Sequence, residues 1–134
     1  MSAKKISELA AVTSPAVGDT VAAVQSGTTK KLTVKQILEA NLTWCVFDGT
    51  GSNPITITAG NNVTNVTKNS TGKYTINFTT PMDSANYAVL GLSSGGTRCT
   101  NTQTGYCIIV TYVQTTGALA NQHYVAVAIV GEVA

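Results

Sequence analysis

Charge is scarce in this sequence. Asp, Glu, Lys and Arg make up 10% of its 134 residues, where a soluble domain carries about a quarter. The net charge is only +2, with no stripe of Lys or Arg to neutralise successive phosphates, so a nucleic-acid partner is not expected. Long apolar runs are missing too. The longest uncharged apolar stretch, Tyr124 to Gly131, is strand-length, against the ~18 residues that a spanning helix needs, and no membrane insertion is expected. The cysteines are Cys45, Cys99 and Cys107, an odd number that argues against a disulfide framework. No apolar signal segment stands at the N-terminus, so the chain is expected to fold in a cytoplasm with reduced thiols. A Cys99–Cys107 pair across a hairpin is the alternative.

The groupings that carry chemistry are also lacking. The single histidine, His123, would have to complete any nucleophile–His–acid triad, with a Cys or Ser and with Asp48 or Asp83. No Gly-x-Ser-x-Gly elbow accompanies it. A carboxylate pair for glycoside cleavage would have to come from Asp48, Asp83 and Glu132, and the repeats of a depolymerase solenoid are absent. The run from Asp48 to Asn53 lacks the spaced acidic ligands of a calcium loop. Gly49 and Gly51 do not follow phosphate-loop spacing. The sequence therefore predicts no enzyme, no metal and no cofactor.

Threonine supplies the missing polarity, with 22 residues beside ten asparagines. Its β-branched side chain suits a half-exposed pleated surface. Polarity carried by Thr and Asn rather than Lys and Glu points to an extracellular or particle-surface β protein. The five Asn-x-Ser/Thr triplets, at Asn41, Asn62, Asn65, Asn69 and Asn77, follow from that composition.

The chain changes character near residue 42. Residues 1–42 hold Lys4, Lys5, Lys30, Lys31 and Lys35 against Glu8, Asp19 and Glu39, whereas 43–134 are neutral. Met1 to Ala11 opens with a short helical signal in which Ile6 and Leu9 share a face. Thr20 to Gln25 and Thr28 to Leu32 read as a hairpin about Ser26-Gly27. Thr33 then looks like the N-cap of a helix from Val34 to Ala40, with Val34, Ile37 and Leu38 on one side and Asn41 as its stop. This hairpin–helix unit is too small to bury its apolar face alone and must pack on something.

Residues 43–134 predict an antiparallel β-sandwich of seven strands. Trp44 to Phe47 begins it and Ile55 to Thr58 alternates. Val63 and Val66, three apart, suggest a bulge, and Asn69 to Gly72 is a turn. Tyr74, Ile76 and Phe78 face one way, Thr75, Asn77 and Thr79 the other. Tyr87 to Leu92, Gly105 to Gln114 and His123 to Val133 complete the set, with Ser93 to Thr104 as a long loop. The last strand is apolar on both faces, so each needs a cover.

Two stretches resemble modules of tailed-phage virion proteins. Trp44 to Gly51 (WCVFDGTG), Asn62 to Pro81 (NVTNVTKNSTGKYTINFTTP) and Asn86-Tyr87-Ala88-Val89 are similar to a β module of tail fibres. Lys5 to Leu9, Gly18 to Val21, Thr29 to Thr33 and Ile37 resemble the segment that opens many fibre and baseplate proteins. The resemblance implies a homotrimeric structural protein of the virion surface, assembled in the host cytoplasm. It implies docking of this segment, with its matched Lys30 and Lys31, on other virion proteins of tail, baseplate or capsid; the apolar residues Ile6, Leu9, Val21, Val24, Ile37 and Leu38, more than 42 residues need for solubility, are the candidates to carry it. Loops carrying Thr97, Arg98, Asn101, Gln103, Asn121 and Gln122 are the candidates for contact with a host cell-surface glycan. A free carbohydrate-binding module without catalytic activity is the alternative reading.

Overall fold

The computed structural model describes residues 16, 18, 20–25, 28–33 and 42–134. The chain divides into two compact units, 1–38 and 39–134. In the first, β1 (Thr20–Gln25) and β2 (Thr28–Thr33) form the expected antiparallel hairpin, in register from Thr20↔Thr33 to Gln25↔Thr28. The Ser26-Gly27 turn and the two expected helices, Met1 to Ala11 and Val34 to Ala40, lie outside the described residues. Among those described there is no helix, so the hairpin stands without support for the helical part of that unit.

The second unit is a β-sandwich of two four-stranded antiparallel sheets. The strands are β3 (Leu42–Phe47), β4 (Ile57–Asn61), β5 (Val63–Ser70), β6 (Lys73–Phe78), β7 (Ala88–Ser93), β8 (Gly96–Gln103), β9 (Tyr106–Tyr112) and β10 (Val125–Val130). One sheet runs β4-β3-β10-β7, the other β5-β6-β9-β8. Period-2 alternation builds the layer between them. Cys45 and Phe47 of β3 and Val125, Val127 and Ile129 of β10 meet Val66 of β5, Tyr74, Ile76 and Phe78 of β6, and Cys107 and Ile109 of β9. Ile55 and Met82 join this core from the connections.

Several details follow the sequence pattern. Tyr74, Ile76 and Phe78 point inward, as their alternation predicts. The ladder between β5 and β6 shifts register between Val63 and Asn65, which is the bulge that the valine spacing suggests. All three cysteines are free.

Two expectations are corrected. Ser93 to Thr104 is not a long loop: β8 fills most of it, paired along β9 from Gly96↔Tyr112 to Gln103↔Tyr106. The sandwich thus has eight strands rather than seven. Its Gly, Thr and Asn composition reads as loop, yet the strand turns Thr97, Cys99 and Thr102 inward and leaves Arg98, Thr100, Asn101 and Gln103 exposed. Ladder bonds to β9 and β-branched threonine decide the outcome. The strand expected from Ile55 to Thr58 begins only at Ile57. Ile55 instead donates its N–H to Val66 O of the opposite sheet (3.0 Å) and places its side chain in the core.

Candidate functional site

The outer side of the β4-β3-β10-β7 sheet is the most distinctive surface of the sandwich. Strands β3 and β10 each bury one set of alternate residues and turn the other set out: Leu42, Trp44 and Val46 from β3, Ala126, Ala128 and Val130 from β10. Strand β7 adds Ala88, Leu90 and Leu92. Register sets these nine in three cross-strand rows. They are Val46–Ala126–Leu92, Trp44–Ala128–Leu90 and Leu42–Val130–Ala88. None carries charge, although outward positions of a sheet facing water are ordinarily polar. Leu90 and Leu92 are 62% and 66% exposed, and Val130 is 51% exposed. Tyr124, just before β10, is half exposed as well. Two alanines on the central strand leave a low track between taller neighbours. It forms part of a wholly apolar hollow of about 300 Å³ lined by Leu42, Trp44, Val46, Leu92, Ala126 and Ala128.

The residues expected to face a receptor are dispersed. Thr97, Arg98, Asn101 and Gln103 lie on β8, not on a loop. Thr97 turns inward: its methyl occupies the space that a Cβ at Gly91 would need, and its hydroxyl is buried without a hydrogen-bond partner. Arg98, Asn101 and Gln103 are exposed. Asn121 is half-buried, its Oδ1 accepting from Gly72 N (2.9 Å) and from the Tyr74 hydroxyl (3.1 Å). Gln122 accepts from Gly49 N through its carbonyl at 2.8 Å. These two brace the sandwich from within its end loops. Of the expected docking residues, Val21 and Val24 fall on β1 and Lys30 and Lys31 on β2. Ile6, Leu9, Ile37 and Leu38 lie outside the described residues.

The structure does bring His123 to Asp48, with Nδ1 3.6 Å from Oδ2. Thr50 joins them, its hydroxyl 3.5 Å from the same Nδ1. The arrangement differs from a triad, in which the nucleophile uses the nitrogen opposite the acid. The Thr50 hydroxyl donates to Asp48 Oδ1 (2.7 Å), and so does its N–H (2.8 Å). Those two bonds hold the Asp48 carboxyl below the usual carboxylate range, the hydroxyl contributing most. The His123 side chain is 85% exposed and the Asp48 side chain 54%. In that much water the cluster acts as a turn brace between the β3–β4 connection and the entry to β10.

Further contacts tie the two ends of β6 to its surroundings. Phe47 and Tyr74 stack edge-on with ring centroids 5.3 Å apart, and the Tyr74 hydroxyl donates to Gly49 O (2.9 Å). Gly49 is required there, because a Cβ would strike that hydroxyl. Asn62 adopts a left-handed φ of 57° and donates through Nδ2 to Thr43 Oγ1 (2.8 Å) and Thr80 O (3.0 Å). Phe78 meets Tyr87 edge-on at 5.8 Å, and the single proton of the Tyr87 hydroxyl is shared between Gln103 O and Tyr106 O, each 2.8 Å away. Burial pushes the Tyr87 phenol up to about 12.

Sequence reasoning singled out the doubly apolar last strand but missed the row partners Leu90, Leu92, Trp44 and Leu42. The available signal was the alternation of Leu42, Trp44 and Val46 and of Leu90 and Leu92; their alignment with β10 depends on pairing across 34 or more residues. No known protein family, curated protein or solved structure matches the chain.

Proposed function

We propose that this chain is a structural protein of a tailed-phage particle, a short fibre, head fibre or decoration. It docks through its N-terminal unit, presents the β-sandwich at the virion surface and assembles as a homotrimer. The observation that carries this reading is the coherence of the resembling residues. FDGTG, the central Tyr74-to-Phe78 strand and the Tyr87 of NYAV supply two sets of contacts between the sheets, Phe47 and Gly49 on Tyr74 at one end of β6 and Tyr87 on Phe78 at the other. The separate hairpin unit, bearing Lys30 and Lys31 on β2, is in keeping with a docking segment.

Contact with a host glycan belongs to this proposal through Arg98, Asn101 and Gln103, which are exposed on β8. A hollow of about 310 Å³ with a mixed polar and apolar lining of Ser94, Gly95, Val113, Gln114, Thr115 and Gln122 is a second place for it. Labelling of intact particles with an antibody to residues 43–134 tests the central claim. Label at a fixed, symmetric place on head or tail is expected. Particles purified to homogeneity that carry none of the protein overturn it.

A further inference from the structure

We infer that the outer face of the β5-β6-β9-β8 sheet binds an acidic polysaccharide, one that carries carboxylates on its sugar rings. The inference deepens the glycan contact proposed above and rests on that reading, naming its surface and the charge of the ligand.

Register defines this face. Tyr74 and Ile76 of β6, Cys107 and Ile109 of β9 and Cys99 of β8 point inward, so Lys73, Val110 and Arg98, paired in one cross-strand row, point outward. Val110 is nevertheless only 4% exposed, and it is not part of the core cluster. The stems of Lys73 and Arg98 flank it from either side. These two cations stand two strand spacings apart, roughly 10 Å. Along β9 the same side carries Tyr106, Ile108 and Tyr112, a ridge roughly 20 Å long with a tyrosine at each end. Tyr112 is paired with Gly96, and a Cβ on Gly96 would strike its ring. The ring therefore rests on the glycine and turns its other face outward.

Amides line the ridge on both flanks. On the β6 side Asn77 donates to Asn65 Oδ1 (2.7 Å), and Asn69 donates to Thr75 Oγ1 (3.0 Å). On the β8 side Gln103 donates to Asn101 Oδ1 (3.2 Å). Mutual bonds hold these side chains in place, and each amide keeps donor or acceptor capacity for a ligand. A sugar ring has an apolar C–H side and a rim of hydroxyls; the first suits a tyrosine face and the second these amides. Charge decides between sugars. The four strands of this sheet contain no carboxylate. Among the described residues neither Lys73 nor Arg98 is met by an acidic group, whereas Lys68 is engaged by Gly51 O (3.3 Å). A neutral glycan would make no use of the two cations. A nucleic acid calls for a longer stripe of them. A phosphate monoester carries nearly two charges and calls for cations that converge. Lys73 and Arg98 stand apart, each matched to a single carboxylate, Arg98 through its planar fork.

Binding of the purified full chain to immobilised polygalacturonate, hyaluronate and polysialic acid, beside fully methyl-esterified polygalacturonate and dextran phosphate, tests this. At least one of the three acids is expected to bind, and more weakly as salt rises. The ester and the phosphate polymer are expected not to bind. Arg98→Gln, Lys73→Gln and Tyr112→Ala are each expected to weaken binding about ten-fold, with unchanged far-ultraviolet spectra. Lys68→Gln, turned away from the face, is expected to bind as wild type. Should Tyr112→Ala lose the fold, the Arg98 and Lys73 variants decide alone. No binding to any of the acids overturns the inference, while the place on the particle is decided by the labelling above. Equal binding of the ester or of the phosphate polymer overturns the carboxylate class and leaves contact with a glycan standing. Binding that persists in the Arg98 and Lys73 variants but is lost in Gln114→Ala overturns this face and moves the contact to the hollow beside Gln122.

Discussion

Aromatic side chains do two jobs at once in this core. Tyr74 fills volume beside Phe47 and also satisfies the carbonyl of Gly49, so the turn after β3 is tied to the middle of the opposite sheet. Phe78 has only the first job. It is 8% exposed, packed edge-on against Tyr87 and part of the central cluster. Truncating a buried phenylalanine removes its transfer energy and leaves a cavity, so Phe78→Ala is expected to lose about 3–5 kcal/mol in urea unfolding. A midpoint unchanged from wild type would place the ring outside the core. The thiols make a second residue-level case. Burial pushes Cys45 and Cys107 up to about 12, whereas Cys99 is only partly buried. The thiolate is the reactive form. Labelling of the native chain with a disulfide reagent at neutral pH is therefore expected to modify Cys99 well before the other two. All three should react at one rate in denaturant. Equal native rates would contradict the packing around β3 and β9.

Elements differ in how plainly the sequence announces them. Strand β6 declares itself because large apolar residues alternate with threonine and asparagine, and the hairpin β1–β2 because its two polar-flanked runs are separated by Ser-Gly. Strand β8 does not. Its inward residues are Thr97, Cys99 and Thr102, small and weakly apolar, and the ladder to β9 shifts register between Cys99 and Asn101, so hydropathy shows no period. What makes it a strand is its position against β9, information held 3 to 16 residues away. The outer apolar face was half legible. The doubly apolar β10 was visible, but the partners that widen it into three rows come from β3 and β7, brought together only by the sheet order β3-β10-β7. The turn between β5 and β6 shows the opposite case, where local chemistry is enough. Gly72 has φ +64°, and a Cβ there would lie 2.5 Å from Thr111 O and 2.7 Å from Ala120 N. Gly72→Ala is expected to cost about 1–3 kcal/mol from the backbone conformation alone, and more from that collision. Gly105→Ala is the control, since nothing lies within 4 Å of a Cβ there and its φ is not left-handed. Equal melting of the two variants would show that the turn relaxes freely.

At the scale of the whole molecule, docking and glycan contact are assigned to different parts of the chain, and that separation can be tested. The sandwich has a core drawn entirely from residues 45–129, and β3 starts at Leu42. A chain starting at Asn41 removes the hairpin unit without touching a strand of either sheet. Its buried cluster is complete, and a domain of this size buries close to two-thirds of its unfolded surface. It is therefore expected to melt cooperatively with a β-type far-ultraviolet spectrum. The outer face of the β5-β6-β9-β8 sheet is also complete in it, from Asn65 through Tyr112. The truncated chain is accordingly expected to bind the acidic polymers as the full chain does. Incorporation is the property that should go, because the residues assigned to docking, Val21, Val24, Lys30 and Lys31 among them, are deleted. Particles assembled in the presence of the truncated chain are expected to contain none of it on immunoblots, where the full chain is present. Incorporation at the full level would move docking to the sandwich. Loss of polymer binding in a chain that still folds would mean that the hairpin unit, rather than the sheet face, carries the glycan contact. The two outcomes are independent, so one truncation separates the two assignments.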